Sequence, residues 1–248
     1  MLVTNYFSCV SLFTTGTIHP GRCGVSYLNW DCKSLGAANL ATNGICLSDL
    51  RGPGIYGLCF RENVHESDWR LIYIGSYCGI TKPLNPFGGN VAQVRWWTHL
   101  ASVTMRGCRV SISCGKINSL VSILFGGNQS AAAGDPMFGQ LMVPRLCLCA
   151  DNGCVTSVNR AVFSYKHKGL FLHQKPTKLL EHFKFVYVRL TSLPHSMQSG
   201  AVIQKIRAAE KDLIKRLCPQ CNHVKTAGCK VNCDEATRSI LAAMEGVG

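Results

Sequence analysis

The stretch GIYGLCFRENVHESDWRLIYIG, residues 54–75, constrains the fold more than any other part of the chain. Its two apolar runs, 54–60 and 71–75, have strand length and are rich in β-branched and aromatic residues. The link between them, Arg61 to Trp69, is polar, which is the pattern of a β-hairpin. Pairing Phe60 with Trp69 sets Tyr56 directly opposite Tyr73. Directly opposite residues share a face of a sheet, so both phenol hydroxyls are expected to point the same way. Ordinary sheet packing accounts for such a pair, and so does a shared site.

Three further segments carry a clear pattern. After the glycine- and proline-punctuated loop SYCGITKPLNPFGG, Asn90 is placed to cap a helix through VAQVRWWTHLASV. FKFVYVRL, 183–190, reads as a strand, and AVIQKIRAAEKDLIKRL, 201–217, is the clearest helix. Residues 1–47 are rich in Cys, Gly and Asn without a period. Residues 105–180 mix short apolar runs with glycine-rich turns and are expected to form an insertion with several strands.

Within the 201–217 helix, Val202, Ile206, Ala209, Leu213 and Leu217 form an apolar stripe at helical spacing. Glu210 falls inside that stripe, while Lys205, Arg207, Lys211, Asp212, Lys215 and Arg216 lie elsewhere. A carboxylate facing a core costs several kcal/mol unless a cation or hydrogen bonds satisfy it. Two readings stand: a buried salt bridge, or a ligand for a hard divalent cation such as Mg²⁺, which often takes only one or two protein carboxylates. Arg95 and His99, four apart, are expected to share a helix face. An arginine here can simply snorkel, and a lone histidine can be structural. Together with two tyrosines and a metal carboxylate they make up the groups needed to cleave a phosphodiester. Arginine holds the phosphate, tyrosine or histidine accepts a proton from water, and the metal polarises the reacting oxygens.

The net charge of +13, from 26 Lys and Arg against 13 Asp and Glu, favours a polyanionic partner, nucleic acid before membrane. The blander account is that a basic chain is merely soluble. No apolar run approaches the roughly 18 residues of a membrane helix, and MLVTNYFSCVSLF has no basic segment of the kind that opens a cleaved signal. With 47% apolar and 16% charged residues the chain reads as packed and globular. Fifteen cysteines, an odd number and scattered, point to an intracellular, mostly reduced protein with scope for metal clusters.

At this level of detail the chain resembles the GIY-YIG endonucleases. Pro53-Gly54-Ile55-Tyr56 and Tyr73-Ile74-Gly75 match the two signatures. Arg95 and His99 match the Arg-x-x-x-His of the restriction-enzyme branch. FKFVYVRL followed by AAEKDLIKRL resembles the third strand and metal-binding helix, and CPQCN places Asn222 12 residues after Glu210, where the family keeps an asparagine. The resemblance covers about 53–102 and 181–223. It departs from the family in a longer stretch between Gly75 and Arg95 and in the large insertion, both of which put substrate preference outside what carries over.

The resemblance implies an α+β fold: a small three-stranded antiparallel sheet flanked by helices. The core would span 48–223, interrupted at about 105–180, with an N-terminal extension at 1–47 and a tail at 224–248. It implies a metal-dependent DNA endonuclease, of restriction or mobile-element type. A structure-specific repair nuclease and a catalytically inert nucleic-acid-binding protein are the alternatives. Tyr56 would be the general base, directly or through His99; Tyr73 would orient water or phosphate, and Arg95 would bind the scissile phosphate. Glu210 would hold Mg²⁺ or another divalent cation such as Mn²⁺, with Asn222 supporting the geometry. DNA is the expected partner, with no membrane, and a homodimer is left open. Just after the metal helix, Cys218, Cys221, Cys229 and Cys233 have a spacing that admits a structural Zn²⁺, or else are reduced buried thiols. Cys147, Cys149 and Cys154 form a weaker group of the same kind. The basic run YKHKGLFLHQK in the insertion is expected to lie along DNA.

Overall fold

The computed structural model describes residues 1–13, 18–20, 26–28, 44–79, 89–105, 110–112, 114–138, 154–174, 176–192, 199–222 and 230–247. The strands are β1 (Leu2–Ser8), β2 (Ile18–Pro20), β3 (Ser26–Leu28), β4 (Gly54–Phe60), β5 (Arg70–Tyr77), β6 (Val110–Ser111), β7 (Cys154–Val155) and β8 (Phe183–Leu190). The α-helices are α1 (Cys9–Leu12), α2 (Trp97–Thr104), α3 (Cys114–Phe125), α4 (Gln129–Gly134), α5 (Val158–Lys166), α6 (Lys168–His173), α7 (Pro176–Leu179), α8 (Ser199–Leu217) and α9 (Cys233–Glu245). The chain divides into two compact units, one of Met1–Phe13, Cys32–Arg95 and Leu180–Gly248, the other of Thr14–Asp31 and Trp96–Leu179.

The first unit is built on an antiparallel sheet in the order β1-β8-β4-β5. The expected hairpin and third strand are present as β4, β5 and β8, but the sheet has four strands, not three. The fourth is β1, which corrects the expectation of an N-terminal extension outside the core; Thr4 and Asn5 at its centre interrupt any apolar alternation. The hairpin register also differs from expectation. Phe60 pairs with Arg70, a bulge falls between Leu58 and Cys59, and Tyr56 therefore lies opposite Gly75 while Tyr73 lies opposite Leu58. Because Tyr56 and Leu58 are two apart on one strand, the two tyrosines still share a face. Their ring centroids are 6.3 Å apart.

The other face of the sheet carries the core. Ile55, Cys59, Ile74, Val186 and Val188 pack under Val202, Ile206, Leu213 and Leu217 of α8 and under Ala236, Ile240 and Met244 of α9. The α8 stripe is the one the periodicity predicts. α9, in the segment expected to be a tail, starts at the Asn232 cap, whose side chain accepts from Glu235 N at 2.8 Å, with Asp234 and Glu235 in the first turn facing the positive helix end.

An outer strand such as β5 exposes unpaired main-chain groups unless something covers them. Here Cys221 N donates to Ile72 O at 2.8 Å and Leu71 N donates to Val231 O at 2.8 Å. Cys233 N donates to Trp69 O at 2.8 Å. Further along the strand, the Asn222 carboxamide accepts from Ile74 N and donates to Ile74 O, both at 2.7 Å. The side chain thus imitates a neighbouring strand at the centre of the Tyr73-Ile74-Gly75 motif.

The second unit is helical where the sequence suggested several strands. Among the described residues of 105–180 the strands are the two-residue pair β6 and β7, running parallel. Short apolar runs do not distinguish a strand from a buried helix, and LVSILF belongs to α3. α2 and α3 pack with α5, where Ser164 Oγ donates to Val103 O and Arg160 donates to Ser102 Oγ at 3.1 Å. Phe125, Phe138 and Tyr165 form an edge-on cluster with centroids 5.3 to 5.9 Å apart. Lys168, expected to meet DNA, sits 4.2 Å from the Tyr165 ring centroid and 3.7 Å from Asp135. Hydrogen bonding to Tyr165 raises its pKa above the ordinary lysine value.

Candidate active site

Tyr56 is 1% exposed, and its ring lies across the α-carbon of Gly75. A methyl group at position 75 would come within 2.5 Å of the phenol oxygen and 2.6 Å of Cζ. The glycine that ends the second signature is thus required by the tyrosine that ends the first. Phe185 meets Tyr56 edge-on at 6.2 Å, and Tyr187, paired with Tyr56 across β4 and β8, donates its hydroxyl to Gly52 O. Complete burial pushes the Tyr187 phenol well above its ordinary pKa.

Immediately beyond Gly75 the chain opens a cleft of about 100 Å³, lined in part by Ser76, Tyr77, Cys78, Arg95 and Arg207. Ser76 Oγ donates to Glu210 Oε2 at 2.5 Å, so the carboxylate in the core-facing stripe of α8 is tied to this strand end. Among the described residues that hydrogen bond satisfies Glu210, and the salt-bridge reading is not realised. Burial raises the Tyr77 phenol pKa, opposed by the positive charges of Arg95 and Arg51. Burial likewise raises the Cys78 thiol, opposed by Arg207 and reinforced by Glu210. Both shifts are set first by burial, and in both a guanidinium group of the cleft, Arg95 for Tyr77 and Arg207 for Cys78, works against it.

Arg95 reaches the cleft from an irregular turn. Asn90 does cap the helix start, its side chain accepting from Ala92 N at 2.9 Å, but residues Ala92–Trp96 are π-helical before α2 begins. A wider π turn changes the angular spacing, so residues four apart no longer stack as they do on an α-helix. Arg95 is exposed and His99 is buried, the boundary between the two units falling between Arg95 and Trp96. Of the residues expected to act together, Tyr56, Tyr73, Arg95, Glu210 and Asn222 belong to the first unit and His99 to the second.

Ser76, Tyr77, Cys78 and Arg207 were not foreseen. Ser76 directly follows the second signature and Cys78 lies two further along an extended chain. Arg207 is three residues before Glu210, a spacing that puts both on one side of α8; the apolar stripe had drawn attention away from it.

Of the cysteine tetrad, Cys218, Cys221 and Cys233 lie among the described residues and do not gather with a further ligand into a metal-binding group. Cys233 Sγ lies 2.8 Å from Cys59 Sγ inside the core, Cys218 Sγ donates to Lys215 O at 3.0 Å, and Cys221 is buried. Cys229, Cys147 and Cys149, and the side chain of Cys154, lie outside the described residues. Among the described residues no three His, Cys, Asp or Glu side chains gather into a metal-binding group, and no helix is long and apolar enough to cross a membrane.

No family model matches the chain, and no curated protein or solved structure matches it. One carboxylate held by a serine fits a hard divalent cation, which completes its coordination with water and phosphate oxygens. Two guanidinium groups beside it fit a phosphodiester, since their planar donors match phosphate oxygens.

Proposed function

We propose that this chain is a metal-dependent DNA endonuclease of the GIY-YIG type, hydrolysing a phosphodiester at the cleft beyond Gly75. The observation that carries the reading is the meeting of Glu210, through Ser76, with Arg95 and Arg207 at the end of the Tyr73-Ile74-Gly75 strand. Restriction or mobile-element cleavage is the preferred biological class, with the second unit available for reading DNA.

In this reading Glu210 holds one Mg²⁺ or Mn²⁺, which when bound polarises the phosphate and stabilises the departing oxygen. Arg95 and Arg207 grip the scissile phosphate and offset charge as water attacks phosphorus and the phosphorus–oxygen bond to the leaving strand breaks. Tyr56 accepts the proton of the attacking water, and Tyr73 orders that water. Asn222 keeps Ile74, and with it the strand end, in place.

The test is cleavage in Mg²⁺ of a panel of duplex, branched and single-stranded DNA. The parent chain should cut; Glu210→Ala should remain folded and lose cleavage by at least about 100-fold, the scale of one transition-state contact. Arg95→Ala should abolish cutting yet still bind DNA, since affinity comes from many phosphate contacts. Wild-type cleavage by Glu210→Ala would overturn the assignment.

A further inference from the structure

The opposite end of the same sheet, where β4 ends at Phe60 and β5 begins at Arg70, holds a larger cavity of about 390 Å³. That size lies within the roughly 300–1,000 Å³ of small-ligand pockets. Trp69 forms part of its wall, with the Arg61 guanidinium carbon 4.4 Å and Lys184 Nζ 4.6 Å from the ring centroid. Tyr6 lines the same cavity and is 54% exposed, with Lys184 Nζ 5.9 Å from its ring. His65 adds a third basic side chain, against Glu181 as the acidic one.

The cations here are positioned but not neutralised. Arg61 donates to two main-chain carbonyls, Glu66 O at 3.0 Å and Glu181 O at 3.3 Å, which orient the guanidinium without cancelling its charge. Neither Arg61 nor Lys184 forms an ion pair with a carboxylate among the described residues, although Lys184 also reaches the Cys233 thiol and, behind the hydrogen bond from Cys59, helps to lower its pKa. An exposed phenol ring beside Lys184, in a cavity that Arg61 also lines, offers a stacking surface and a place for a phosphate within one pocket. That combination is how proteins hold unpaired nucleotides, because every base has a π-face and every linkage a negative charge.

We propose that this cavity binds an unpaired nucleotide of a DNA single strand, its base stacked on Tyr6 and its phosphate between Arg61 and Lys184. The choice of DNA as the polymer rests on the nuclease reading; the stacking site itself does not. Paired bases within a duplex cannot present a face to Tyr6, so the site discriminates unpaired from paired DNA.

The test uses the full chain carrying Glu210→Ala, in chelator so that cleavage contributes nothing, with a labelled oligodeoxythymidylate and a duplex of equal length. Tyr6→Ala should weaken single-strand binding by about 5- to 160-fold, the range found for one lost base stack, and leave duplex binding unchanged. Tyr6→Phe should bind as the parent does. Lys184→Gln should lower the single-strand log–log salt slope by about 0.7, one phosphate contact. Thermal melts establish that each variant is folded, and the Lys184→Gln slope decides the matter should Tyr6→Ala fail to fold. Unchanged single-strand affinity in folded Tyr6→Ala, equal losses on both DNAs, or an unchanged slope in Lys184→Gln would overturn the proposal. Loss of cleavage chemistry in the parent with this binding intact would overturn only the nuclease reading.

Discussion

At position 75 the side chain has to be a hydrogen atom. A Cβ there meets Tyr56 at Oη, Cζ and Cε2, all within 2.9 Å, and Tyr56 has no space to retreat because Phe185 and Tyr73 flank it. Gly75→Ala is therefore expected to lose about 1–3 kcal/mol of stability, the usual cost of overpacking, and to displace Ser76 and Glu210 with it. Urea unfolding measures the first effect, and cleavage in Mg²⁺ the second; parent-like stability would show that the ring contact does not constrain the strand. Much of the site at this scale was legible. Glu210 stood out because a carboxylate in an apolar stripe contradicts its surroundings, and the structure answers that contradiction with Ser76. Ser76 and Arg207 were hidden because a lone serine after a strand, or an arginine on the polar side of a helix, contradicts nothing.

At the scale of elements, the hairpin and β8 could be read as apolar runs of strand length, and α8 as a single apolar stripe at helical spacing. The register could not: the bulge between Leu58 and Cys59 is a backbone event with no residue that demands it. α9 was missed because its Cys233, Ala236, Ile240 and Met244 stripe is short and made partly of small residues. Most dependent on a single side chain is the outer edge of β5, where Asn222 supplies both hydrogen bonds to Ile74. Each bond has a net worth of about 0.5–1.5 kcal/mol, so Asn222→Ala should lower stability by about 1–3 kcal/mol. Asn222→Asp keeps the acceptor, loses the donor and should fall between. If Asn222 instead acted only in chemistry, Asn222→Ala would lose cleavage with its urea midpoint unchanged, which separates the two roles.

For the whole molecule, four strands replace three because β1 and β8 lie far apart in sequence, and no local pattern reports such a pairing. Global stability, by contrast, has a pH signature that follows from burial. Tyr187 and Cys9 are completely buried, and desolvation raises both well above their ordinary values of about 10 and 9. Below pH 9 both groups are protonated in the folded and the unfolded chain, so their contribution is fully present. As pH rises past 9 and then 10, the unfolded chain releases protons that the folded chain retains. Each such proton tilts the balance toward unfolding by about 1.4 kcal/mol per pH unit, until pH reaches the raised folded value. Urea midpoints, measured under reducing conditions from pH 7 to 11, should stay level with respect to these groups to about pH 8.5 and then fall. Tyr187→Phe gives up the hydrogen bond to Gly52 O and should be less stable at pH 7, yet its decline above pH 10 should be shallower than the parent's. Equal slopes in the two proteins would show that the Tyr187 phenol is not held neutral by burial, and a profile level to pH 11 would say the same of Cys9.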